Sequence, residues 1–72
     1  MSTTPRSQIG LLKISTVAQL TSLSTATIKR LTALGQFPQP VQITEGRHGW
    51  VDLEVDGWLR ERVAARDASK AA

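Results

Sequence analysis

Apolar residues return along this chain in two rhythms. Val17, Leu20 and Leu23 recur at steps of three, Ile28 and Leu31 do the same, and Val55, Trp58, Leu59 and Val63 return at steps of three and four. That spacing lines one face of an α-helix. Between the second and third groups, Val41-Gln42-Ile43-Thr44 alternates apolar with polar, the period of a half-buried strand. The first group predicts a helix from Thr16 to about Leu23 with Ser15 as its N-cap. The second predicts a helix between Ser24, whose hydroxyl can accept a first-turn N–H, and Gly35, which can take the left-handed conformation that closes a last turn. The third predicts a helix from Leu53 to about Arg66, capped by Asp52.

The connections sharpen the picture. The first two helices are separated only by a turn over Thr21–Ser24, with Ser22 at the left-handed position, which a residue other than glycine adopts at some cost. Two short helices so closely joined match a helix-turn-helix. Gln36-Phe37-Pro38-Gln39-Pro40 prohibits helix and favours an extended segment, with Phe37 tucked under the helices. Glu45-Gly46-Arg47-His48-Gly49 reads as a Gly-flanked turn before Trp50-Val51 resumes the extended pattern, so a hairpin is expected with Arg47 and His48 near its tip. A hairpin beside a helix-turn-helix is a wing. The predicted fold class is therefore mainly α with a small β-hairpin, a winged helix-turn-helix. On the second helix Ile28 and Leu31 face inward while Ala26, Lys29, Arg30 and Ala33 lie opposite, a small and basic face that can enter a DNA major groove.

Composition narrows the options. The 72 residues allow one domain, expected over residues 10–67, between a disordered Ser/Thr-rich arm at 1–9 and a frayed tail at 68–72. Arg6 on the arm could reach along DNA. The absence of cysteine excludes disulfides and thiolate metal sites. No stretch approaches the roughly 20 apolar residues of a membrane span, and Met1–Gly10 has no signal-peptide core, so a cytoplasmic protein with no membrane partner is expected. Charge is uneven: residues 1–50 carry five Lys or Arg against Glu45 alone, whereas residues 51–72 carry four against five acids. A polyanion would be met by the basic first two thirds.

Catalytic chemistry finds no foothold. His48 is the single histidine and has no partner that would complete a metal site or a triad. Asp52, Glu54 and Asp56 are explained by capping and a solvated helix face, and Gly46 and Gly49 do not form a phosphate-cradling loop. No enzyme activity and no cofactor are expected. Trp50 and Trp58, the largest apolar surfaces in the chain, are read as core.

The succession Leu11-Leu12-Lys13-Ile14, Ser22-Leu23-Ser24, Ile28-Lys29-Arg30-Leu31, Leu34-Gly35-Gln36-Phe37-Pro38-Gln39-Pro40-Val41, Gly49-Trp50-Val51 and Glu54-Val55-Asp56-Gly57-Trp58-Leu59 resembles the AlpA family of small prophage DNA-binding regulators. The likeness spans about residues 11–66 without gaps, and its most specific parts are the Gly-x-Phe-Pro-x-Pro segment and the two Trp motifs. It implies a MerR-like winged helix-turn-helix that acts as a transcriptional regulator or an excisionase, with the second helix reading DNA and the hairpin touching the backbone. Ser22 stands where such proteins usually have Gly, Thr25 where Arg is frequent and Lys29 where an aromatic is frequent, while Arg30 matches. On this reading Arg30 and Lys29 supply base or phosphate contacts, Thr25 and Thr27 hydroxyl contacts and Arg47 a phosphate contact, and His48 adds a second wing charge when protonated. The expected partner is double-stranded DNA at repeated sites, with an integrase or RNA polymerase and cooperative self-association supplying further affinity. The alternative is a protein-interaction adaptor that uses the same fold without DNA.

Overall fold

In the computed structural model, which describes residues 9–71, five buried side chains meet at one point, and each comes from a different part of the chain. They are Val17, Ile28, Phe37, Trp50 and Val55. The elements that deliver them are β1 (Leu11–Leu12), α1 (Ile14–Thr21), α2 (Thr25–Ala33), β2 (Val41–Thr44), β3 (Arg47–Val51) and α3 (Asp52–Ala71). The expectation of a disordered arm falls, apart from Ile9, outside the described residues.

Helix α1 begins two residues before the expected start. Lys13, not Ser15, is its N-cap residue: it is extended (φ −77, ψ 162), and its carbonyl accepts the N–H groups of Thr16 and Val17, both at 3.0 Å. Packing explains the shift, because starting at Ile14 puts Ile14, Val17 and Ala18 on one face against the core. Leu20, expected on that face, falls off it and is 55% exposed. Ser22 does take the left-handed conformation (φ 62, ψ 21). Thr21 holds the turn around it: its hydroxyl donates to the Val17 carbonyl at 2.8 Å and accepts the Leu23 N–H at 3.3 Å.

Both ends of α2 match the expectation from sequence. The Ser24 hydroxyl oxygen accepts the Thr27 N–H at 3.1 Å. At the other end Gln36 N–H donates to Leu31 O at 2.9 Å and Gly35 N–H to Thr32 O at 3.1 Å, with Gly35 at φ 75, the paired bonds of a Schellman motif. The proline-containing segment that follows is fastened by three side chains. Gln39 donates to the Thr32 carbonyl at 2.9 Å, and the indoles of Trp50 and Trp58 donate to the carbonyls of Pro38 at 2.9 Å and Gln36 at 3.0 Å.

The expected hairpin is part of a three-stranded antiparallel sheet of order β1-β3-β2. β1 pairs Leu11 with Val51 and Leu12 with Trp50, a strand too short to show any period in the sequence. The reversal between β2 and β3 needs only Glu45 and Gly46, with Gly46 at φ 86. Arg47 and His48 therefore belong to β3, directly after the turn and not within it, facing Thr44 and Gln42 across a register shift at Ile43. β2 is exposed along its whole length, with Val41 at 43% and Ile43 at 49%, because it is an edge strand projecting past the core. It is not the half-buried strand its alternation suggested.

Helix α3 seats Val55 in the core with Trp58 and Leu59 beside it, whereas Val63 is 48% exposed. Trp50 is fully core, but Trp58 is only partly buried, edge-on to Phe37 at 4.8 Å and beneath the Arg62 guanidinium at 5.4 Å. Asp52 is the first helical residue, and its N–H donates to the Gly10 carbonyl at 3.0 Å. The helix runs past Arg66 to Ala71 through a stretch rich in alanine, the best helix former, so the tail expected to fray is helical as far as Ala71.

Candidate nucleic-acid interface

Burial of Ile28 decides which way α2 presents its other side chains. At about 100° per residue, Thr25, Ala26, Lys29, Arg30 and Ala33 fall within roughly 140° of arc, and all five are exposed. Two cations are thus flanked by two methyl groups and a hydroxyl, with no large side chain between them. Thr27 lies outside this arc: it is half-buried, and its hydroxyl oxygen accepts the Ser24 hydroxyl at 2.9 Å as part of the cap.

The hairpin approaches α2 across an open groove of about 750 Å³. Lys29 of α2 and Arg47 and His48 of β3 line it, so three of the six residues singled out from the sequence come together on one concave surface. Thr25, Thr27 and Arg30 do not line it; Thr25 and Arg30 sit on the outward arc of α2.

A third cation lines the same groove. Lys13, at the entry to α1, stands there with no mark in the sequence to single it out, since it is a lone cation in an apolar run. Its position follows from the β1–β3 pairing, which returns the beginning of the chain to the strand that carries Arg47 and His48.

The electrostatics are one-sided. No Asp or Glu lines the groove. Apart from Glu45 in the hairpin turn, every acid of the described residues is on α3. The ion pairs among the described residues are on α3 as well, Arg60 with Asp56 at 2.8 Å and Arg66 with Asp67 at 2.9 Å. Asp56 raises the Arg60 pKa above its ordinary value, first through the hydrogen bond and then through its charge. Lys13, Lys29, Arg30 and Arg47 have no carboxylate partner among the described residues. Among those residues no cluster could hold a metal ion and no helix is long and apolar enough to cross a membrane.

Residues 10–63 match the model of a family described as prophage CP4-57 regulatory protein (AlpA). A protein of Enterobacteria phage P4, named uncharacterized protein ORF88, is 34% identical over 55 residues. That alignment covers 76% of this chain, which spans only 62% of the phage protein's length. No solved structure matches.

Proposed function

Because the chain belongs to the AlpA family of prophage regulatory proteins, we propose that it binds double-stranded DNA and sets the state of a prophage or integrative element, as a transcriptional regulator, an excisionase or both. The observation that carries this reading is the groove in which Lys29 faces Arg47 and His48 with no acid among the lining residues. A duplex is the ligand that suits it. The exposed arc of α2, with Ala26 and Ala33 in place of bulky residues, fits a major groove, and the hairpin then falls against the adjoining backbone.

In this reading Arg30 and Lys29 make base or phosphate contacts from α2, and Thr25 adds a hydroxyl contact. Thr27 keeps its own hydroxyl proton to donate from the cap. Arg47 grips a phosphate, with His48 lining the groove beside it. A single module of this size buries about 600–1,000 Å² on DNA, too little for high selectivity alone. Repeated sites occupied by neighbouring copies, or an integrase or RNA polymerase bound alongside, supply the remainder.

The deciding experiment is a gel shift on DNA tiled across the ends and promoters of the element that carries the gene. If about three to five phosphates are neutralised, log K falls with log salt at a slope near −3 to −5. One or a few tiles should bind well above the rest. A flat salt titration with no preferred tile would favour the adaptor.

A further inference from the structure

We propose that the groove between α2 and the hairpin is a seat for one backbone phosphate, and that Lys13 is a binding residue of that seat. The proposal rests on the DNA-binding reading above and adds a contact from a third part of the chain. Three segments far apart in sequence each contribute a cation to this concavity: Lys13 before α1, Lys29 in α2 and Arg47 in β3. Like charges repel, and with no acid among the lining residues the groove is a place where an anion relieves that repulsion.

The placement of Lys13 is fixed by the fold. Its neighbour Leu12 pairs with Trp50, and its own carbonyl is held by the Thr16 and Val17 N–H groups at 3.0 Å each, so the backbone on both sides is anchored. The side chain is left exposed, it caps nothing, and α1 has no acidic residue in its first turn to draw it away. Among anions, a phosphodiester fits better than an acidic side chain. The groove also presents Ala33 and Pro40, apolar surface against which a deoxyribose can rest while the charges converge on the phosphate next to it. A phosphate contact carries no sequence information. Lys13 should therefore act on all duplexes alike, whereas the outward Arg30, off the groove, is free to discriminate between them.

The test compares wild type with Lys13→Gln, Lys13→Arg and, as a control on α3, Arg66→Gln, each checked for folding by circular dichroism. DNA binding is followed by anisotropy across a salt series on a preferred and a random duplex. Lys13→Gln should weaken both duplexes about five- to tenfold at 0.1 M salt and reduce the salt slope by about one, the weight of one released counterion. Lys13→Arg should restore the slope, and Arg66→Gln should leave it at the wild-type value. If wild type binds and Lys13→Gln keeps its slope, the seat is overturned while the proposed function stands. If wild type binds no duplex, the proposed function fails and the backbone-phosphate seat falls with it, an outcome distinct from unchanged slope in Lys13→Gln.

Discussion

The indole N–H of Trp58 in α3 donates to the Gln36 carbonyl at 3.0 Å, bridging 22 positions to the segment that leaves α2. The same ring stands edge-on to Phe37 at 4.8 Å, so one side chain of α3 fixes both the end of the helix-turn-helix and the residue packed beneath it. This ring also explains why the prolines can be so near α2. The extended backbone offers carbonyls that no neighbouring strand satisfies, and the two tryptophans supply the donors.

Trp58→Ala should therefore lower stability by about 2–3 kcal/mol, somewhat less than the 3–5 kcal/mol of a fully buried aromatic because the ring is only partly covered. Trp58→Phe keeps most of the ring and should lose about 1 kcal/mol, the worth of the hydrogen bond. Urea unfolding of the two variants separates the contributions. If Trp58→Ala kept wild-type stability and lost only DNA binding, the ring would be a nucleic-acid contact and not a strut.

Ser22 holds the turn between α1 and α2 at φ 62, a conformation that side chains with a Cβ adopt at a cost. Ser22→Gly should stabilise the domain by about 0.5–1 kcal/mol, the relief of strain exceeding the extra freedom of glycine in the unfolded chain. A rise in the melting temperature with unchanged DNA affinity is the expected pair of results. A lower melting temperature would mean that the Thr21 hydrogen bonds had already removed the strain.

On α2, Arg30 and Lys29 both point away from buried Ile28, so alanine at either should leave the fold intact. Their consequences for binding should differ. Lys29 lines the groove with the hairpin, and Lys29→Ala should weaken every duplex alike. Arg30 lies on the outward arc, and Arg30→Ala should lose about 1–3 kcal/mol on the preferred site and much less on random DNA. Affinities on the two duplexes give the answer directly; wild-type binding by both variants would remove α2 as the reader.

Ser24, Ser22 and Gly35 were legible in the sequence because capping and left-handed turns are decided by side chains within a few residues of the backbone they satisfy. Phe37 and Trp50 could be assigned to the core because a chain of this size has few other large apolar groups to put there. The departures in β1, α1 and the groove depend on pairing and packing at long range. Leu11–Leu12 has no period of its own and becomes a strand only when β3 lies alongside it. That same event brings Lys13 to the groove, while the start of α1 at Ile14 follows from packing Ile14 on the core. Leu20 and Ile43 kept the right spacing, yet nothing in the sequence says that no element covers them. Gly49 shows how close the strands approach: a Cβ there would lie 3.1 Å from both Leu11 Cβ and Ile43 Cδ1, a constraint invisible until the order of the sheet is known.

Arg47 gives the sharpest test of the hairpin. It is the first residue of β3, exposed, paired with Thr44 across the turn and turned to the groove that Lys29 lines from the other side. Its side chain forms no ion pair within the described residues and contributes nothing to the core, so Arg47→Ala should keep thermal stability within about 0.5 kcal/mol of wild type. If it grips a phosphate, the salt slope of DNA binding should shrink by about one, with the same loss on preferred and random duplexes. Arg47→Lys should restore the slope, since a phosphate is satisfied by a point charge, whereas a bidentate base contact is not. An Arg47→Ala protein with unchanged affinity and unchanged slope would mean that the hairpin points away from the duplex, and α2 would then be left to hold DNA without it.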